Sequence, residues 1–81
     1  MSRRHRPLTV KEVETALKVL GFKPRPQGST SHVHWVKDEG GRRFKVTVDP
    51  PKAPFSQDLI GFMARQAGVS KRAFYRAALG E

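Results

Sequence analysis

Residues 31–49 read SHVHWVKDEGGRRFKVTVD. Two alternating runs flank a polar, glycine-containing segment, which is the pattern of an antiparallel β-hairpin. Alternation sends His32, His34 and Val36 to one side of the first strand, and Val33, Trp35 and Lys37 to the other. With DEGG, residues 38–41, as a four-residue loop, Lys37 stands opposite Arg42, Trp35 opposite Phe44 and Val33 opposite Val46. Those pairs form an apolar face. On the other face His34 stands opposite Lys45 and His32 opposite Thr47. A slip by one residue would set apolar side chains against polar ones, so the two faces are well specified. Val36, on the polar side, is the one residue out of pattern.

Upstream, Leu8 to Phe22 reads LTVKEVETALKVLGF. Thr9 and Glu12 have the spacing of a capping box, and Leu8 can staple onto Val13. Val10, Val13, Leu17 and Leu20 form one apolar stripe, and Gly21 is a natural stop. The following FKPRPQGS has two prolines, which allow only a short edge strand before a turn at Gly28. Downstream, PPKAPF cannot continue a ladder and is a connection. SQDLIGFMARQAG is a second helix, with Ser56 as cap, Asp58 at its positive end, Phe55 stapled to Ile60, and Gly68 as stop. Its core side is Leu59, Ile60, Met63 and Ala67. VSKRAFYRAAL is a short third helix, capped by Ser70, with Val69 stapled to Phe74. The order is helix, two or three antiparallel strands, helix, short helix. One helix layer on one sheet face makes this an α+β fold whose other sheet face is solvated and carries both histidines.

The chain has 81 residues, enough for one small domain and one core. Residues 1–7 read as a mobile basic arm and 8–81 as the single domain. Without cysteine, the chain has no disulfide framework, thiolate metal site or thiol nucleophile. The basic start MSRRHRP is followed by no apolar stretch, so neither a secretory signal nor a membrane span is read, and a soluble cytoplasmic protein is expected. Lys and Arg number 16 against 7 Asp and Glu, a formal charge of +9 that favours a polyanionic partner, nucleic acid first.

On the solvated face, Lys45 and Arg43 accompany the histidines. A cationic neighbourhood favours neutral imidazole, which can take a proton from a ribose 2′-hydroxyl. The attacking oxygen and the phosphate then belong to one polynucleotide, so no metal or cofactor is required. The plainer reading is a surface strand that happens to carry histidine. His-x-His also suggests a metal, but no third ligand is evident, since Asp49 is read on the opposite face. QGSTS lacks the spacing of a phosphate loop and reads as a turn, although Ser29 can meet a phosphate. Trp35 can stack on a base but pairs better with the core. Arg25, Lys23 and Lys52 flank the sheet within reach of backbone phosphates. A competing reading lies at residues 64–79, ARQAGVSKRAFYRAAL, which resembles a helix-turn-helix in which Ser70, Lys71, Arg72, Tyr75 and Arg76 enter a DNA major groove without catalysis.

Four pieces of the chain together resemble the HicA (YcfA-like) toxins of bacterial toxin–antitoxin systems. They are the opening helix, GSTSHVHW at Gly28–Trp35, VTV at Val46–Val48 and RQAG at Arg65–Gly68. The resemblance spans about residues 8–70. It implies a dsRBD-like α-β-β-β-α fold with an antiparallel three-stranded sheet, a first strand at about Phe22–Pro26, and here an extra short C-terminal helix. It further implies an mRNA interferase, that is, a metal-independent endoribonuclease with no cofactor, and a HicB-type antitoxin as partner. The family's catalytic histidine falls on His32, which leaves His34 as the candidate second proton shuttle. Ser29, Arg25, Lys45, Arg43 and Lys52 are the expected RNA contacts. The chain departs from the family pattern where Thr30 and Ser31 lengthen the Gly-Ser-His element, and where DPPKAPF replaces a glycine-rich connection.

Overall fold

A computed structural model describes residues 6–26 and 32–80. The chain runs through helix α1 (Val10–Val19) and strands β1 (Lys23–Pro26), β2 (Val33–Glu39) and β3 (Arg42–Val48). A 3-10 turn at Pro50–Lys52 then leads to helices α2 (Gln57–Ala67) and α3 (Lys71–Leu79). The strands form one antiparallel sheet in the order β1-β2-β3. This is the expected α+β architecture, with a three-stranded antiparallel sheet in a dsRBD-like order and an added C-terminal helix.

Local signals set the helix ends. Thr9 Oγ1 accepts the Glu12 N–H at 3.2 Å and Glu12 Oε1 accepts the Thr9 N–H at 2.9 Å, the reciprocal pair of a capping box. Such a cap contributes about 1 kcal/mol. At the other end the Phe22 N–H reaches the Leu17 carbonyl and the Gly21 N–H the Lys18 carbonyl, closing a Schellman turn. Ser56 and Ser70 cap α2 and α3. Gly68 ends α2 at φ 79°, and a Cβ there would lie 2.9 Å from the Phe44 ring. Glycine is therefore required twice over, for the left-handed backbone and for the close approach of α2 to β3.

The hairpin differs from the sequence expectation in its register. Trp35 pairs with Val46, Val33 with Val48, Lys37 with Phe44 and Glu39 with Arg42, a displacement of two residues. The cause is the turn. Gly40 and Gly41 have φ 61° and 78°, the two positive values of a type I′ turn, so Asp38 and Glu39 belong to the strand. An even shift leaves every side chain on its expected face but changes its partner. Trp35, Val46 and Val48 are buried under the helices with Val13, Leu17, Ile60 and Phe74. Lys37 seals the rim of this core. Its Nζ lies 5.1 Å from the Phe22 ring centroid and 5.7 Å from that of Phe44. It also donates to the Leu20 carbonyl at 3.1 Å, at the negative end of α1.

α3 lies against α1 and α2, burying Phe74, Tyr75, Ala77 and Ala78. The Tyr75 hydroxyl donates to the Arg6 carbonyl at 2.6 Å. Arg6 in turn pairs with Glu12 at 2.6 Å, which holds that carboxyl below its ordinary range. Of the expected basic arm, residues 1–5 lie outside the described residues, and Arg6 is tied to α1 and α3.

Burial pushes the Tyr75 phenol above its ordinary value of 10.0. The raised value means that the folded state favours the neutral phenol. That stabilisation is complete below about pH 10, the unfolded value, and is lost as pH rises through the folded one. Tyr75→Phe is expected to cost about 1 kcal/mol at neutral pH and to flatten the alkaline decline in stability. Urea denaturation from pH 7 upward measures both. Tyr75 is the single tyrosine, so its absorbance reports the titration directly.

Candidate active site

His32 immediately precedes β2 and Asp49 immediately follows β3. Extending the ladder one step beyond Val33 and Val48 sets these two side chains opposite each other. His32 Nε2 lies 3.4 Å from Asp49 Oδ2, with the histidine side chain 51% accessible and the aspartate 22%. The expectation that Asp49 lies on the opposite face is thus corrected. It follows 43, 45 and 47 on the open side of β3, and the shifted register puts 49, not 47, across from His32. His32 accordingly has a carboxylate beside it, with Lys52 on the same pocket.

The pair stands on a pocket of about 240 Å³ where the end of the sheet meets α2. His32, Thr47, Asp49 and Lys52 form one side of it. Leu59, Phe62, Met63 and Gln66 of α2 form the other, and Phe55 also lines it. Lys52 is carried there by the 3-10 turn, which the prolines of the PPK segment set. The structure therefore brings together His32 and Lys52 from the expected set.

His34 occupies the middle of the open sheet face, half-buried, opposite Arg25 on β1 and Thr47 on β3. Its Nδ1 lies 3.1 Å from Thr47 Oγ1. Thr47 thus stands between the two histidines, touching His34 and lining the pocket of His32. Arg25 and Lys45 are exposed on the same open face. Arg43 directs its guanidinium onto the Asp38 carboxylate at 2.9 and 3.3 Å, and this bond holds Asp38 below the usual carboxylate range. Both partners are exposed, so the pair adds little stability. Ser29 and the turn at Gly28 lie outside the described residues.

Among the described residues, no group of three or more His, Cys, Asp or Glu side chains could hold a metal ion. Trp35 is buried in the core, not presented to a base. Tyr75, assigned to the groove-facing side of a helix-turn-helix, is buried against α1 and spends its hydroxyl on Arg6. No helix among the described residues is long and apolar enough to cross a membrane.

The sequence reading sets Asp49 on the wrong face and does not single out Phe62 or Gln66. Leu59, Phe62, Met63 and Gln66 recur at i, i+3, i+4 and i+7 beside the buried row Ile60, Met63, Ala64 and Ala67, so the spacing shows two overlapping rows without saying which of them lines a site.

A family model described as HicA toxin of bacterial toxin–antitoxin matches residues 10–69, from the first residue of α1 to just beyond α2. No curated protein and no solved structure is matched.

Proposed function

The chain belongs to the HicA toxin family of bacterial toxin–antitoxin systems, and from that premise we propose that it is an endoribonuclease cleaving mRNA in the cytoplasm with His32 as general acid/base. The reading is carried by one observation: His32 stands beside Asp49 on a pocket whose rim also holds Lys52. Neutral imidazole takes the proton of a ribose 2′-hydroxyl. The 2′-oxygen attacks the adjacent phosphorus, the bond from phosphorus to the 5′-oxygen breaks, and the departing oxygen is protonated from solvent. A 2′,3′-cyclic phosphate and a 5′-hydroxyl result. Nucleophile and leaving group come from the RNA itself, so the scheme calls on no metal or cofactor. Asp49 positions the imidazole ring. Lys52 offsets the charge growing on the phosphate. Arg25 and Lys45 hold the RNA backbone along the open sheet face. His34, engaged by Thr47, supports the site through that contact rather than serving as a second proton shuttle.

A toxin of this family has a cognate antitoxin. In this reading the antitoxin is of the HicB type and neutralises the toxin by covering the pocket. The test is to incubate the purified protein, in EDTA, with an oligoribonucleotide and its deoxy counterpart. The expected result is RNA cut to cyclic-phosphate and 5′-hydroxyl ends while the deoxy strand stays intact. Cleavage that leaves 5′-phosphates, or that proceeds equally on DNA, contradicts the mechanism.

A further inference from the structure

Two large hydrophobic side chains stand exposed among the described residues, Val19 at 65% and Phe62 at 62%. Their settings differ. Val19 is the last residue of α1, away from the His32 pocket. Phe62 belongs to the α2 row Leu59, Phe62, Met63 and Gln66, one face of the helix by its spacing, and that row walls the pocket which His32, Asp49 and Lys52 close from the other side. The pocket therefore has two characters: an apolar wall ending in an accessible aromatic ring, and a polar rim with a cation. Gln66 Oε1 already accepts the Thr47 N–H at 3.4 Å, which leaves the Gln66 amide NH2 as a donor.

The ligand chemistry that satisfies all of these groups at once is a flat ring with a hydrogen-bonding edge, joined to an anion. We infer that the pocket is a subsite for one unpaired nucleobase of the substrate RNA. The base stacks on Phe62, Gln66 reads its edge, Lys52 meets the adjoining phosphate, and the attached ribose comes within reach of His32. The net charge of +9 favours a polyanion over a protein side chain as the occupant. The inference rests on the ribonuclease reading and narrows it, because in an A-form duplex the base faces are covered by their neighbours. A base must leave the stack to enter such a pocket, at an energetic cost that unpaired RNA avoids. A fold of dsRBD-like order would thus serve an enzyme that cuts beside unpaired nucleotides.

The test compares the full-length wild type with Phe62→Ala, Phe62→Trp and Val19→Ala, using an oligoribonucleotide offered single-stranded and as a perfect duplex. Phe62 is exposed, so its replacement leaves the fold intact, and circular dichroism checks this. Phe62→Ala is expected to raise KM on the order of 10–100-fold, the range for losing one base–aromatic stack, with kcat much less affected. Phe62→Trp restores KM, Val19→Ala leaves it unchanged, and the duplex is spared. A non-cleavable strand with 2-aminopurine beside a 2′-deoxy scissile position gives a second readout. Its fluorescence is quenched by the wild type and not by Phe62→Ala.

If Phe62→Ala binds and cuts as the wild type does while His32→Ala is dead, the subsite is wrong and the ribonuclease reading stands. Quenching that depends on Phe62 without any cleavage supports the subsite and refutes the ribonuclease reading. Equal cutting of the duplex overturns the subsite. So does a Phe62→Ala defect confined to neutralisation by the antitoxin, which would assign this face to the protein partner.

Discussion

His32→Ala is expected to lower the rate of RNA cleavage by roughly 10²–10⁴-fold, the usual contribution of a positioned general acid or base, and to abolish growth arrest on expression. The side chain is half exposed at the open end of β2, outside the hydrophobic core, so its removal leaves the fold in place. The neighbouring substitutions separate proton transfer from positioning. His32→Gln preserves a polar side chain of similar reach but cannot carry the proton, and is expected to be as inactive as His32→Ala. Asp49→Asn keeps the base and loosens its orientation, so its loss is intermediate. His34→Ala acts through Thr47 and is expected to be the mildest of the four. Initial rates on one oligoribonucleotide at fixed pH give the order, with circular dichroism confirming that each variant is folded. An active His32→Ala beside an inactive His34→Ala would reverse the assignment and move the chemistry to the middle of the sheet.

The parts of this site that a linear reading captures are those that depend on period and nearest neighbours. The two hairpin faces follow from a period of two, which a two-residue shift does not disturb, so the histidines were correctly put on the open side although the register was not. The turn was misread because Asp38 and Glu39 have loop-like composition. They extend the strands here since Gly40 and Gly41 alone make the reversal. That misreading also hid the His32–Asp49 pair, which exists only in the correct register. Caps at Thr9, Ser56 and Ser70 were legible because each spans three residues. Phe62 was not legible as a site residue, since α2 carries two overlapping apolar rows and the sequence does not say which one the sheet covers. The competing helix-turn-helix reading puts Tyr75 on the groove side for a related reason: charged and aromatic residues on α3 leave two plausible faces, and only the packing of α3 against α1 chooses between them. Periodicity also ranked the two histidines equally. Family resemblance favours His32; the structure sets that residue on the pocket beside Asp49, and the substitutions above test the choice.

Phe74→Ala is expected to destabilise the domain by about 3–5 kcal/mol, the range for truncating a buried aromatic. A chain of this size holds only about 5–10 kcal/mol in all, so the variant is largely unfolded under mild denaturing conditions. Phe74 lies in α3, an appended helix beyond the 10–69 span of the family match. Its ring is fully buried and is among the largest such side chains in the protein. α3 covers α1, and Tyr75 beside Phe74 holds Arg6 at the start of the fold. The helix therefore completes the core rather than decorating it. The consequence for activity is distinguishable from a lesion at the site. The folded fraction of Phe74→Ala retains His32, Asp49 and the α2 wall, so cleavage per folded molecule, at low temperature and saturating RNA, approaches that of the wild type. His32→Ala stays inactive under the same conditions. Urea denaturation gives the stability loss and the temperature dependence of cleavage gives the recovery. A Phe74→Ala midpoint within about 1 kcal/mol of wild type, below any large-to-small core value, would mean that α3 does not share the core.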